Sequence, residues 1–199
     1  MTTVLTIETS IFSEGSRSSA LIASTLDKLE ETRGPIEVIR RNFVKQPVPH
    51  LDEVTFAAFN TPADERSAAQ QTLVDLSDSL IAEIRQADVI VLGLPMYNFG
   101  LPSSLKAYFD QIARAGQTFR YTDKGPIGML EDRPVYILAT RGGRYQGTSR
   151  DNQTPYIMQF LGFIGLTDLR FVYAEGLAMS ESVDQSFDLV REQIGKLAA

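Results

Sequence analysis

A continuous apolar run at residues 89–94, Val-Ile-Val-Leu-Gly-Leu, is the feature that most constrains the fold of this 199-residue chain. An apolar run without alternation is typical of a strand that is buried on both faces, as in a parallel sheet covered by helices. The run ends at Pro95, and a helical pattern begins at Ser103 after a loop closed by Pro102. Strand, stiff loop and helix in this order indicate the edge of an α/β sheet at which such proteins bind ligands.

The same alternation of strand and helix patterns runs through the whole chain. Strands are predicted at residues 3–9, 36–39, 89–94, 135–140 and 169–174. The helices between them end before Gly34, span residues 63–86 and 103–113, start at Gln153 and run from Val183 to Leu197, whereas residues 43–60 and 116–132 are predicted as irregular. Strands that alternate with helices of this length pair in parallel through right-handed crossovers. We therefore predict an α/β fold with a flavodoxin-like, doubly wound, five-stranded parallel sheet of order 2-1-3-4-5 and helices on both faces, in a single domain over residues 1–199.

Composition excludes several classes of function. A net charge of -6 argues against general binding to nucleic acid or to an anionic membrane. With no cysteine and one histidine, the chain has no disulfide, no thiolate metal site, no cysteine nucleophile and no histidine-based metal cluster. No apolar window approaches the length of a membrane span and no signal peptide is recognisable, so we expect a cytoplasmic protein.

The loop after the first strand predicts a phosphate site. Serine hydroxyls and free backbone N–H groups at a helix N-terminus suit a phosphate, helped by the positive end of the helix dipole. The candidate residues are Ser10, Ser16, Arg17 and Ser18. The alternative is that Ser16 or Ser18 only caps the helix. The chain lacks the glycine patterns of a dinucleotide site and of a P-loop, so a monophosphate fits better.

Two further loops at the same edge predict a binding site for a flat ring. One offers Pro95, Met96, Tyr97, Asn98 and Phe99, and the other offers Thr140, Arg141, Gly142 and Gly143. Adjacent glycines let the backbone approach a ligand and aim N–H groups at it. Taken alone, the first loop would be explained by core packing or a subunit contact of Tyr97 and Phe99, and the second by a plain turn at its glycines. A phosphate cradle beside two ring-binding loops predicts flavin mononucleotide (FMN), whose reduction such N–H donors would tune.

Several motifs resemble one known family. They are Pro-Met-Tyr-Asn-Phe at 95–99, the run at 105–116 with Thr-Phe-Arg-Tyr at 118–121, Thr-Arg-Gly-Gly at 140–143, Phe-Leu-Gly-Phe-Ile-Gly at 160–165 and Phe-Val-Tyr-Ala-Glu-Gly at 171–176. Together they are similar to the FMN-dependent NADH-azoreductases, also described as FMN-dependent NADH:quinone oxidoreductases. The resemblance extends from the first strand to about Gly176.

The resemblance implies a homodimer with one FMN per subunit and active sites at the dimer interface. NADH or NADPH would reduce FMN and leave, and a quinone or azo compound would then take two electrons at the same site. FMN contacts fall on positions 10, 16–18, 96–99 and 140–143, and Phe99, Tyr121 and Phe163 shape the substrate side. Because the flavin carries the chemistry, no residue is assigned as catalytic.

Two other classes of function stay open from the residues alone. One is a flavodoxin-type carrier that exchanges single electrons with partner proteins, and the other is a regulatory domain that kept the fold and lost the cofactor. The aromatic loops and the long segment at 116–132 favour a covered pocket in a dimer, and thus the reductase.

Overall fold

The computed structural model of the chain describes residues 1–12, 15–179 and 183–197. The strands are β1 (Thr2–Glu8), β2 (Ile36–Asn42), β3 (Val89–Pro95), β4 (Phe119–Thr122), β5 (Gly125–Gly128), β6 (Val135–Thr140) and β7 (Leu169–Ala174). The helices are α1 (Arg17–Arg33), α2 (Glu53–Asn60), α3 (Ala68–Gln86), α4 (Ser103–Ile112), α5 (Gln153–Ile164) and α6 (Val183–Leu197).

Five of these strands form the central sheet, in the order β2-β1-β3-β6-β7. Every neighbouring pair in this sheet is parallel. Counting only the strands of this sheet, the order is 2-1-3-4-5, so the predicted fold class is confirmed. β1 and β3 are neighbours in the sheet although they are far apart in the sequence, with Val4 opposite Val89. From β1 the sheet extends first to one side, with β2, and then to the other, with β3, β6 and β7. β1 and β3 therefore flank the topological switch point of the sheet.

Helices cover both faces of the sheet because β3 is apolar on both. Ile90 and Leu92 point into a core layer shared with α3, α4 and α5, whereas Val89 and Val91 point into a layer shared with α1 and α6. Alternate residues of a strand face opposite sides, so a strand between two apolar layers has no polar face. This explains the unbroken apolar run that marks β3 in the sequence.

Two segments predicted as irregular contain regular structure, so these predictions were wrong. Region 43–60 includes α2, whose N-cap Asp52 accepts a hydrogen bond from the Thr55 N–H at 2.7 Å. This helix buries only Thr55 and Ala58, so it carries no apolar periodicity. Region 116–132 includes the hairpin of β4 and β5, whose strands of four residues are too short for an alternation signal.

The helix predicted at 63–86 is also shorter than expected. Residues Ala63–Glu65 form one 3-10 turn, and α3 begins after Ser67. Ser67 accepts from the Gln70 N–H at 3.3 Å, while Gln70 Oε1 accepts from the Ser67 N–H at 2.9 Å. This reciprocal capping box fixes the start of α3 directly after Ser67.

Within the described residues, no helix has both the length and the apolar character that crossing a membrane requires.

The hairpin is held against the end of α5 by a close backbone approach. The N–H of Leu130 donates to the carbonyl of Ile164 at 3.0 Å. A Cβ added at Gly128 would lie within 3.0 Å of backbone atoms of Gly165 and Ile164. Only a glycine lets β5 pack this closely, because backbone atoms cannot move aside as a flexible side chain can.

We expect Gly128→Ala to lower the free energy of unfolding by about 3 kcal/mol, because the new methyl group has no space. Gly162→Ala is the matched control, since a Cβ at that helical position meets nothing within 4 Å. The control should leave stability unchanged or raise it by up to about 1 kcal/mol. Denaturant unfolding measures both, and equal stability of the two variants would contradict the close approach.

Candidate functional site

A cavity of about 350 Å³ lies at the carboxyl ends of β1, β3 and β6. This volume falls within the range of roughly 300–1,000 Å³ that is usual for small-ligand pockets. The predicted residues that line it are Ser10, Ser16, Arg17, Ser18, Pro95, Met96, Tyr97, Thr140, Arg141 and Gly142. The structure thus brings residues of all three predicted loops to one cavity.

One end of the cavity is the N-terminus of α1. The Ser16 hydroxyl caps this helix by accepting from the Ser19 N–H at 3.1 Å, so part of the capping alternative is correct. The backbone N–H groups of Arg17 and Ser18 donate to no described residue. Arg17 Nη1 donates to the Leu177 carbonyl at 2.8 Å, and its other N–H groups have no acceptor in the described ranges. Free amides, hydroxyls and a guanidinium at a helix N-terminus suit a phosphate.

Tyr97 joins this end of the cavity to the next loop. Its hydroxyl lies 3.3 Å from Ser10 Oγ and accepts from the Ile11 N–H at 3.2 Å. The residues after it form a tight turn, in which the N–H of Tyr97 donates to Gly100 O at 3.2 Å and the N–H of Gly100 donates to Tyr97 O at 2.9 Å. The Tyr97 side chain therefore connects the loop after β3 to the loop after β1.

The turn holds two residues in a left-handed backbone conformation. Asn98 has a φ of 49° and Phe99 a φ of 65°, and both are exposed. Such values are uncommon for residues other than glycine, and for a bulky side chain they mark strain. The Phe99 ring makes an edge-on contact with Tyr145 at 5.8 Å between centroids. Neither Asn98 nor Phe99 lines the cavity.

The third wall is the segment from Thr140 to Gly143. The carbonyls of Arg141, Gly142 and Gly143 accept from the N–H groups of Leu177, Ala178 and Gly176 at 3.0–3.1 Å. The N–H groups of Gly142 and Gly143 donate to nothing among the described residues. Gly142 lines the cavity and Gly143 follows it directly. Two unpaired amides beside a cavity are donors for the polar edge of a ring.

The side chain of Arg141 forms all of its hydrogen bonds within the protein. It is 1% exposed, and its five N–H groups all have acceptors. Nη1 and Nη2 donate to the two oxygens of Asp151 at 3.0 and 2.9 Å, and Nε donates to Gln153 at 3.3 Å. The guanidinium carbon also lies 5.1 Å from the centre of the Tyr173 ring. Arg141 lines the cavity, yet no guanidinium N–H is left for a ligand.

Asp151 is charged because of this pairing. Burial by itself would raise the pKa of its carboxyl, but hydrogen bonds from Arg141 and Thr154 favour the charged form. The pKa of Asp151 therefore lies below its ordinary value of 3.8. A carboxylate with a lowered pKa stabilises the folded chain above that ordinary value, and the contribution disappears as the pH falls through the folded pKa.

Tyr121 and Phe163 do not reach the cavity of their own chain. Tyr121 is on β4, whose hairpin packs against the end of α5, and Phe163 is in the last turn of that helix. The first residue of α5, Gln153, donates to Pro95 O at 3.0 Å beside the cavity. At about 1.5 Å of rise for each residue, Phe163 lies roughly 15 Å along α5 from Gln153. The Phe119 ring contacts both Tyr121 and Phe163, at 5.4 and 4.3 Å between centroids, so Tyr121 lies at the same end of the helix.

The cavity also contains residues that the sequence analysis missed. They are Phe12, Gly15, Leu177 and Ala178. The last two follow β7, which ends at the same edge of the sheet as β1, β3 and β6. The loop after the fifth strand could have been included by the same rule that selected the other three. Phe12 and Gly15 flank residues 13–14, which are outside the described ranges.

The architecture of the cavity fits a molecule with a phosphate at one end and a flat ring at the other. Free donors at the N-terminus of α1 and free N–H groups at Gly142 and Gly143 lie at separate walls. The described residues hold no group of three or more His, Asp or Glu side chains that could bind a metal ion.

The chain is similar to known proteins over nearly its whole length. A family model described as a flavodoxin-like fold matches residues 2–198. An FMN-dependent NADH:quinone oxidoreductase of Cellvibrio japonicus (strain Ueda107) is 50% identical over 194 residues, which are 98% of this chain and 97% of that protein. A protein of the same name from Burkholderia pseudomallei (strain K96243) is 49% identical over 195 residues, which are 98% of each chain. Among solved structures, an azoreductase from Bacillus anthracis (strain Sterne) has a TM-score of 0.90 at 25% identity and is matched over 99% of its chain by 100% of this one.

We expect Asp151→Asn to lower the free energy of unfolding at pH 7 by about 3 kcal/mol, because the buried Arg141 loses one of the two carboxylates that pair with it. The difference from the unchanged protein should shrink as the pH falls below 3.8, where Asp151 becomes protonated in both the unfolded and then the folded chain. Asp168→Asn is the control, since Asp168 pairs with Arg170 at a half-exposed position, where an ion pair contributes at most about 1 kcal/mol. Denaturant unfolding between pH 7 and pH 2.5 measures these effects. A difference for Asp151→Asn that does not depend on pH would contradict the assigned charge.

Proposed function

The chain belongs to the FMN-dependent NADH:quinone oxidoreductases of the flavodoxin-like fold, and from this premise we infer that its cavity binds FMN and that the protein is a reductase. It uses NADH to reduce quinones and azo compounds. The resemblance seen in the sequence motifs is confirmed by relatives that share about half of the residues over almost the full length.

The observation that carries this function is the pair of donor sets in one cavity. We assign the phosphate of FMN to the N–H groups of Arg17 and Ser18 with the nearby serine hydroxyls. The N–H groups of Gly142 and Gly143 are assigned to the polar edge of the flavin ring. Tyr97 connects the two ends, because its hydroxyl binds the first loop while its backbone forms the turn of the second.

The chemistry needs little from the side chains. When bound, FMN supplies the hydride acceptor and the two-electron donor. One NADH and one proton convert a quinone to a hydroquinone, and two NADH and two protons cleave an azo bond to two amines. The N–H groups of Gly142 and Gly143 would stabilise the negative charge that develops at the ring edge during this transfer.

A single-electron carrier is disfavoured by the relatives, which are named as oxidoreductases that act on quinones and azo compounds. NADH is the reductant in the name of the relatives, so we propose NADH over NADPH. Because NADH is a cytoplasmic reductant, we propose that the protein works in the cytoplasm.

We propose a homodimer in which each chain completes the site of its partner. Tyr121 and Phe163, assigned to the substrate side by the resemblance, lie far from the cavity of their own chain. Tyr121 is 75% exposed, and Phe56, Met129 and Met158 are other large apolar side chains that are at least 43% exposed. A two-fold dimer would bury such side chains and could bring the Tyr121 of one chain to the cavity of the other.

Rapid mixing tests the proposed activity. We expect the purified protein to bind FMN in a one-to-one ratio, and NADH to bleach the bound flavin, whose colour then returns on addition of a quinone. Gly142→Val is the negative control, because its side chain would fill the ring end of the cavity beside Ala178, and it should stay folded without FMN. Flavin that binds but is not bleached by NADH would exclude the reductase. Full flavin content in Gly142→Val would exclude the assigned ring site.

Mixed dimers test the shared site. Gly142→Val and Tyr121→Ala should each be inactive or severely impaired alone, since one lacks the ring site and the other lacks a substrate contact. If Tyr121 serves the partner, co-expression of the two variants should restore about a quarter of the activity, because about half of the dimers are mixed and each contains one intact site. The control is a blend of the two separately purified homodimers, which contains no mixed dimers. No recovery in verified mixed dimers would show that Tyr121 does not act across the interface.

A further inference from the structure

Glu175 lies just after β7 and does not line the cavity, yet it contacts both sides of the ring-binding segment. We propose that Glu175 is a positioning residue that holds the N–H groups of Gly142 and Gly143 in place and thereby sets the affinity for FMN and its reduction potential. This inference rests on the proposed function.

The contacts of one carboxylate oxygen carry the argument. Glu175 Oε1 accepts from Arg141 Nη1 at 3.1 Å, on the residue that precedes Gly142. The same oxygen accepts from the backbone N–H groups of Tyr145 and Gln146, both at 2.9 Å. The segment from 142 to 144 is therefore pinned before and after by a single side chain, which is 15% exposed.

The backbone next to Glu175 holds the same segment from a third direction. The N–H groups of residues 176–178 donate to the carbonyls of residues 141–143, so these carbonyls cannot turn toward the cavity. A peptide whose carbonyl is held on one side presents its N–H on another, since the peptide unit is planar. The two unpaired N–H groups are thus a consequence of how the 141–146 and 175–178 segments interlock.

The charge of Glu175 adds an electrostatic effect. The buried guanidinium of Arg141 is paired with two carboxylates, those of Asp151 and Glu175, at 2.9 and 3.1 Å. Glu175 thus adds a negative charge directly beside the ring-binding segment, to whose backbone N–H groups at 145 and 146 it is bonded. Because the flavin gains electrons on reduction, removing this negative charge should make its reduction easier.

The experiment compares Glu175→Gln with Asp168→Asn. Both replace a carboxylate that pairs with an arginine by the matching amide, at opposite ends of β7. We expect Glu175→Gln to raise the FMN dissociation constant about tenfold, since a charge-assisted hydrogen bond becomes a neutral one. We also expect its reduction potential to shift to a more positive value. Asp168→Asn should match the unchanged protein in both quantities.

A readout without FMN separates this inference from the proposed function. In the flavin-free protein, the NMR order parameters of the Gly142 and Gly143 N–H groups should fall in Glu175→Gln from about 0.85 toward 0.6. If the unchanged protein binds no FMN, the proposed function fails, and the order parameters still test the positioning role. Glu175→Gln that equals the unchanged protein in dissociation constant, potential and order parameters would overturn the inference. A lower thermal midpoint with the dissociation constant and potential unchanged would also overturn it, because Glu175 would then be only a stabilising residue.

Discussion

The hydrogen-bonded position of β3 between β1 and β6 is the constraint on which the rest of the structure depends. Every residue of β3 is buried, so its backbone groups have no water to bind and must pair with a neighbouring strand on each side. Parallel pairing then places the carboxyl ends of all three strands at one edge. The loops that follow β1, β3 and β6 meet at that edge although they are separated by up to 130 residues or so. The cavity therefore results from the parallel pairing of β1, β3 and β6, which brings these loops together.

The sequence patterns predicted the elements that bury an apolar face and missed those that do not. Most of the sheet strands and the helices that cover them have apolar runs or apolar residues at helical spacing. These elements were predicted, although β2 extends to Asn42 and α3 begins only at Ala68. α2 and the hairpin of β4 and β5 were missed because they are short and their side chains are largely exposed. Their positions are set by local capping at Asp52 and by backbone contacts such as that of Gly128 with Gly165, which leave no periodic trace in the sequence.

The sequence predicted which loops form the candidate site, but it predicted less well which of their side chains line the cavity. Ser16 and Gly142 line the cavity as expected, whereas Asn98 and Phe99 do not. Nothing in the sequence indicated that all guanidinium N–H groups of Arg141 would bond to buried partners, because Asp151 and Glu175 are 10 and 34 residues away. Tyr121 and Phe163 were associated with the site only by family resemblance, and in a single chain they lie at the far end of α5. Contacts between distant segments, and between subunits, have no local sequence pattern.

The turn at Asn98 and Phe99 has a consequence for how this sequence can vary. A glycine at position 99 would relieve a backbone strain of about 1 kcal/mol or more, because glycine accepts positive φ without the steric penalty of a bulky side chain. The Phe99 ring is 53% exposed, so little burial compensates for keeping it there. Stability alone would therefore favour glycine at this turn. Proteins need only stay above a stability threshold, and the chain retains the strained Phe99 two residues after Tyr97, which lines the cavity. At this turn the chain thus keeps an exposed aromatic ring where the backbone geometry alone would favour glycine.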